Sequence, residues 1–109
     1  MYNLNQREFK LLLLVHAANC DYSYHKKEKN YIENLADKET IDKLYAIYDK
    51  EKIESFSYLI KYFNEFFPTL EGRLELRRNL IELFHIDEKF CQFEKGFEKY
   101  FNHLAKLDA

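Results

Sequence analysis

Apolar residues recur along this chain at intervals of three and four, and strict alternation is hard to find. That spacing puts them on one side of an α-helix and argues against strands, whose side chains repeat every second residue. The first predicted helix begins near Asn5. Asn5 is suited to cap it, and Glu8 three residues on completes a box-like start. Phe9, Leu12, Leu13 and His16 fall on one side of this helix and Leu11, Leu14, Val15 and Ala18 on the other. A helix apolar nearly all round belongs in the middle of a bundle.

The first helix stops near Asn19-Cys20-Asp21, and Ser23 is placed to cap a second from about Tyr24 to Leu35, with Tyr24, Tyr31, Ile32 and Leu35 inward. A third covers roughly Lys38 to Tyr48 and turns Ile41, Leu44, Ile47 and Tyr48 inward. The fourth runs from about Glu51 to Phe67 with an inward stripe of Ile53, Phe56, Leu59, Ile60, Phe63, Phe66 and Phe67. Pro68 ends it, because the residue before a proline is pushed out of the helical region. Thr69 caps a fifth helix carrying Leu70, Leu74, Leu76, Leu80, Ile81, Leu83 and Phe84. A sixth starts near Gln92 and carries Phe93, Phe97, Tyr100, Phe101 and Leu104. Gly96 costs that helix about 1 kcal/mol of propensity relative to alanine, and the expected return is close approach of a neighbouring helix.

Composition supports the pattern. In 109 residues there are 2 glycines and 1 proline, too few for collagen, flexible linkers or a turn-rich all-β fold. At 47% hydrophobic and 33% charged, with a net charge of −2, the chain is not disordered. No linker or low-complexity stretch divides it. The expectation is one all-α domain over residues 1–109, a compact bundle of six or seven helices.

A shift of 66 positions aligns the two ends of the chain. Val15 meets Ile81, Ala18 meets Phe84, Asp21 meets Asp87, Tyr24 meets Phe90, Glu28 meets Glu94, Tyr31 meets Phe97, and Leu35 meets Phe101. Either the domain contains two pseudo-repeated helical hairpins, or two unrelated hairpins align at this offset. In each half an Asp in the loop precedes a helix-borne Glu by seven residues. Two such hairpins face to face would gather Asp21, Glu28, Asp87 and Glu94, a set that needs a hard cation, Lys or Arg among it.

These residues resemble a known family. The stretch Leu11 to Leu35, LLLLVHAANCDYSYHKKEKNYIENL, is similar to the first hairpin of the tellurite-resistance TerB-like domain, and Leu80 to Leu104 is similar to its second, less regular copy. The resemblance covers nearly the whole chain on a degenerate motif. It implies an all-helical bacterial domain linked to stress response, chemical resistance and membrane-associated complexes, with no established catalytic mechanism. It also implies a divalent cation on the loop acids, which here would be Asn19, Asp21, Glu28, Asp87 and Glu94. Where the family has Ala-Asp-Gly this chain has Ala18-Asn19-Cys20. Asn19 offers a carbonyl oxygen without charge, and that weakens the cation expectation.

Other chemistry competes. His16 and Cys20 stand four apart, His25 follows, and His85 and Cys91 flank the second loop, so zinc is a rival occupant. The spacing matches no zinc signature, and a partly buried histidine with two unreactive thiols accounts for it equally. A disulfide between Cys20 and Cys91 is a further alternative under oxidising conditions. Catalysis by Cys20 with His16 is disfavoured, since no glycine-rich turn is present to build an oxyanion site. Gly72 and Gly96 stand alone, which excludes glycine-rich phosphate loops. No enzyme activity is expected.

The basic stretches Lys26 to Lys29 and Arg73 to Arg78 are broken by Glu and read as solvated helix faces, so nucleic acid is not an expected partner. The apolar run Leu11 to Val15 is far short of the roughly 20 residues a membrane span needs. With two cysteines and a polar start free of a secretory pattern, the expected compartment is the reducing cytoplasm. Of 19 aromatic residues most fall on inward stripes, but Tyr22, Tyr45, Tyr58 and Tyr62 fall at stripe edges or in loops. Tyrosines so placed suit contact with a protein partner or a second copy of the chain. A bias towards Lys, Asn, Tyr, Phe and Ile, typical of an AT-rich genome, produces the same excess without a function. The sequence therefore points to a non-enzymatic helical interaction module, with metal binding as the alternative.

Overall fold

The computed structural model describes residues 2–19, 26–85 and 92–106, and only the backbone of residues 92–94. The described residues form six α-helices and no strand: α1 (Gln6–Ala18), α2 (Lys26–Glu33), α3 (Lys38–Lys50), α4 (Lys52–Phe66), α5 (Leu70–Phe84) and α6 (Gln92–Leu104). The helix starts follow local chemistry. Asn5 Oδ1 accepts from the Glu8 amide at 2.8 Å, and Glu8 Oε1 accepts from the Asn5 amide at 3.0 Å. This closes the capping box and satisfies amides that have no partner within the helix. Thr69 Oγ1 accepts from the Gly72 amide at 3.1 Å and starts α5. Glu51 ends α3 and also begins α4, so a single residue turns the chain between them. The start of α2 expected at Ser23 and Tyr24 lies outside the described residues.

α1 is the axis of the bundle. Every residue from Leu11 to Ala18 is buried, and α1 packs against α2, α3, α4 and α5. Four neighbours on different sides are why it is apolar on all sides. The remaining core comes from one stripe per helix: Ile32 of α2, Ile41 and Leu44 of α3, Leu59 and Phe63 of α4, Leu76, Leu80 and Leu83 of α5, and Phe101 of α6. Aromatic rings join these layers. Phe9 stacks on Phe66 at 4.3 Å, Phe63 meets Phe101 edge-on at 5.6 Å, and Phe84 meets Phe97 edge-on at 6.0 Å.

Several inward assignments fail at the helix edges. Ile53 was placed on the inward stripe of α4, yet it is 76% exposed, because it lies in the first turn beyond the flank covered by α1. Leu70 and Leu74, on the first turns of α5, are 61% and 45% exposed. Tyr100 of α6 is 45% exposed. Gly96 does not admit a neighbouring helix: a Cβ built there meets nothing within 4 Å. The basic stretch Arg73 to Arg78 is not simply a solvated face. Half-buried Arg73 donates to the Phe67 carbonyl at 2.7 Å, to Asn64 Oδ1 at 2.7 Å and to the Ala105 carbonyl at 3.3 Å. Arg77 reaches Glu98 at 3.7 Å. Arg73 thus ties the C-terminal ends of α4 and α6 to the first turn of α5 by satisfying carbonyls the helices leave unpaired.

Arg73→Met keeps the apolar stem and removes the donors. It is expected to cost about 1–3 kcal/mol in urea unfolding and to speed amide exchange in the last turn of α6. Unchanged stability would show that water serves those carbonyls equally well.

Candidate functional site

The chemistry-bearing residues named from the sequence separate into three places. The first is the end of the bundle where α1 gives way to α2. Asn19 caps the C-terminus of α1, and its Nδ2 donates to the Val15 carbonyl at 2.8 Å. Asn19 lines a recess of about 220 Å³ together with Val15, Lys29, Tyr45, Tyr48 and Asp49, so one metal candidate and one interface candidate share a wall. Glu28, on the first turn of α2, is only 1% exposed, an uncommon position for a carboxylate, which must be paired or hydrogen-bonded when buried. Asp21, Asp87, Cys20, His25, Cys91 and Tyr22 lie outside the described residues, as does the side chain of Glu94. Among the described residues no group of three or more His, Cys, Asp or Glu is gathered as a metal site would require.

The second place is the contact of α1 with α4, where sequence reasoning weighed His16 as a zinc ligand. The ring is 8% exposed, and its Nε2 lies 2.9 Å from Ser55 Oγ. Ser55 itself is fully buried and donates to the Lys52 carbonyl at 3.2 Å. With the hydroxyl proton directed there, Oγ is left to accept from Nε2–H. Tyr48 meets the ring edge-on at 4.8 Å, and Phe56 lies 5.3 Å away. Burial, helped by the charge of Lys52, pushes the imidazole down to about 4. In this arrangement Nε2 is engaged with Ser55 between α1 and α4. His85, the other described histidine of that proposal, is exposed at the C-cap of α5.

The chain matches no known protein-family model, no curated protein and no solved structure.

The third place is the outward side of α4 and its flank towards α6. Phe56 and Ile60 of α4 face Phe97, Tyr100 and Leu104 of α6 across a narrow, wholly apolar cleft floored by Leu13, Leu59 and Phe101. Phe56 and Tyr100 stack at 6.4 Å. Sequence reasoning assigned these side chains to the core and so missed the cleft. The signal for it was present in the breadth of the α4 stripe, which is wider than one helix-to-helix contact covers. On the opposite flank of α4, the rings of Tyr58 and Tyr62 meet at a tilt with centroids 4.9 Å apart, and Tyr58 also meets Tyr2 edge-on at 5.1 Å. The Tyr58 hydroxyl donates to the Tyr2 carbonyl at 3.3 Å. Tyr2 in turn donates to Glu51 Oε2 at 2.8 Å, and its hydroxyl is pushed up to about 12, first by burial and then by the carboxylates of Glu51 and Glu54. Tyr45, Tyr58 and Tyr62 are all half-buried, each with a ring on the core and an edge at the surface.

The His16 arrangement has a consequence for stability. The folded protein holds this imidazole neutral, whereas the unfolded chain protonates it near 6.5. The stabilisation is fully present above about pH 6.5 and is lost as pH falls from there towards 4. Urea unfolding is expected to show a loss of about 2 kcal/mol between pH 6.5 and 5, and His16→Leu to flatten that slope. Glu8, held below its usual range by the Asn5 amide and then by Lys43, adds a separate loss only below about 4.5. A wild-type curve flat from pH 7 to 5 would show that His16 is solvated.

Proposed function

We propose that this chain is a non-enzymatic helical interaction module. The TerB-like resemblance further suggests a bacterial stress or chemical-resistance response in the cytoplasm, with a protein partner or a second copy of the chain. The observation that carries the reading is the apolar surface left by α4 and α6: Ile53 exposed in the first turn of α4, and Tyr100 exposed at an apolar cleft that it lines with Phe56, Ile60, Phe97 and Leu104. Monomeric proteins seldom leave adjoining apolar side chains in water without a partner for them. Two further observations agree. Arg73 is engaged by the Phe67 carbonyl and Arg77 pairs with Glu98, rather than both being arrayed for phosphate. No helix among the described residues is long and apolar enough to cross a membrane.

A photo-crosslinking phenylalanine replacing Ile53 should form protein adducts in living cells. The same residue replacing Glu39, exposed on α3, should form few. Equal or absent adducts at position 53 would count against the module reading.

Metal binding is the second reading, favoured by the burial of Glu28 at a position that the resemblance assigns to cation binding. Calorimetric titration of chelator-treated protein with calcium, magnesium and zinc tests it. Heat from calcium or magnesium that Glu28→Gln abolishes would support the loop acids, and flat traces for all three ions would remove the reading.

A further inference from the structure

The outward face of α4 carries a pattern that goes beyond apolar exposure. Ile53, Ser57, Ile60 and Asn64 stand at i, i+4, i+7 and i+11, a single stripe along the helix. Ile53, Ser57 and Asn64 are exposed and Ile60 is half-buried. Beside the stripe, Glu54 and Lys61 stand seven residues apart, both exposed. The stripe thus has an isoleucine in each of two turns, a serine near its middle, and one charge of each sign about 10 Å apart along the axis.

Resting on the interaction-module reading, we infer that the partner on this surface is a second copy of the chain, with α4 packed antiparallel against α4 of that copy about a two-fold axis near Ser57. In a two-fold contact, if one residue meets another, the reciprocal contact forms as well. Reversal about the midpoint between Phe56 and Ser57 sets Ile53 of each copy against Ile60 of the other. Reversal about the midpoint between Ser57 and Tyr58 sets Glu54 against Lys61 twice. The two centres of symmetry, for the isoleucines and for the charges, differ by one residue, about 1.5 Å, well within side-chain reach. A parallel pairing would put Glu54 beside Glu54 and Lys61 beside Lys61, so charge selects the antiparallel arrangement. Ser57, small and exposed at the crossing, lets the backbones approach. Tyr100, exposed on the α6 side, adds to the contact.

Sedimentation equilibrium of the full chain at low ionic strength tests this. The wild type should be a reversible dimer that weakens with added salt. Glu54→Lys and Lys61→Glu, each alone, turn two attractive pairs repulsive and should each raise the dissociation constant by roughly tenfold. The double reversal E54K/K61E should return it to near the wild-type value. Ile53→Asp should give a monomer whose circular dichroism and melting match the parent, since Ile53 is outside the core. A wild type that stays monomeric to its solubility limit overturns the inference. A dimer indifferent to the single reversals, or one the double reversal does not restore, overturns it too. If the chain is monomeric while a crosslinker at position 53 captures a different protein, self-association fails and the module reading stands. If position 53 captures nothing, both fail.

Discussion

Everything in this bundle is arranged around the burial of α1. Eight consecutive residues, Leu11 to Ala18, lie out of water, and they can do so only because four other helices surround them. At about 25 cal/mol per Å² of apolar surface, a fully buried leucine contributes roughly 2 kcal/mol, and α1 carries four in a row. The central position has a second requirement, since any polar group on such a helix must find a partner inside. His16 meets it through Ser55, which makes a polar pair the link between α1 and α4. Burial there favours the neutral imidazole.

The same constraint shapes the periphery. With α1 occupying the centre, each outer helix needs one apolar stripe, and any apolar residue beyond that stripe is left at the surface. α4 has more than its contact with α1 and α3 can cover. Its excess runs two ways, into the cleft towards α6 through Phe56 and Ile60, and outward at Ile53. Arg73 closes the opposite end by serving carbonyls of both α4 and α6, so a basic residue acts here as an internal fastener. Polar atoms are thus spent on holding the helix ends, and apolar atoms are left for contact.

The candidate site was legible unevenly, and the reasons are physical. Asn5, Thr69 and Pro68 act through neighbours within four residues, so their effects could be read directly from order along the chain. Glu28 was singled out by its spacing from Asp21, and its burial adds weight to the position without supplying a site, because the loop acids expected around it lie outside the described residues. His16 was read as either a core histidine or a ligand. The choice depends on Ser55, thirty-nine residues away, which no local pattern connects to it. Ile53 was read as inward because periodicity gives the angle of a residue on its helix but not where the neighbouring helix stops.

The sequence by itself determined that the chain is helical, where most helices begin and end, and that α1 is central. These follow from 3.6-residue periodicity, capping side chains and the all-round apolarity of one segment, which are properties of short stretches of chain. Only the tertiary structure decided which apolar residues stay in water, which cations are engaged by helix-end carbonyls, and which side chain His16 pairs with. Those outcomes depend on the lengths and crossing positions of helices distant in sequence, since burial is a property of two surfaces meeting and one helix carries only half of the information.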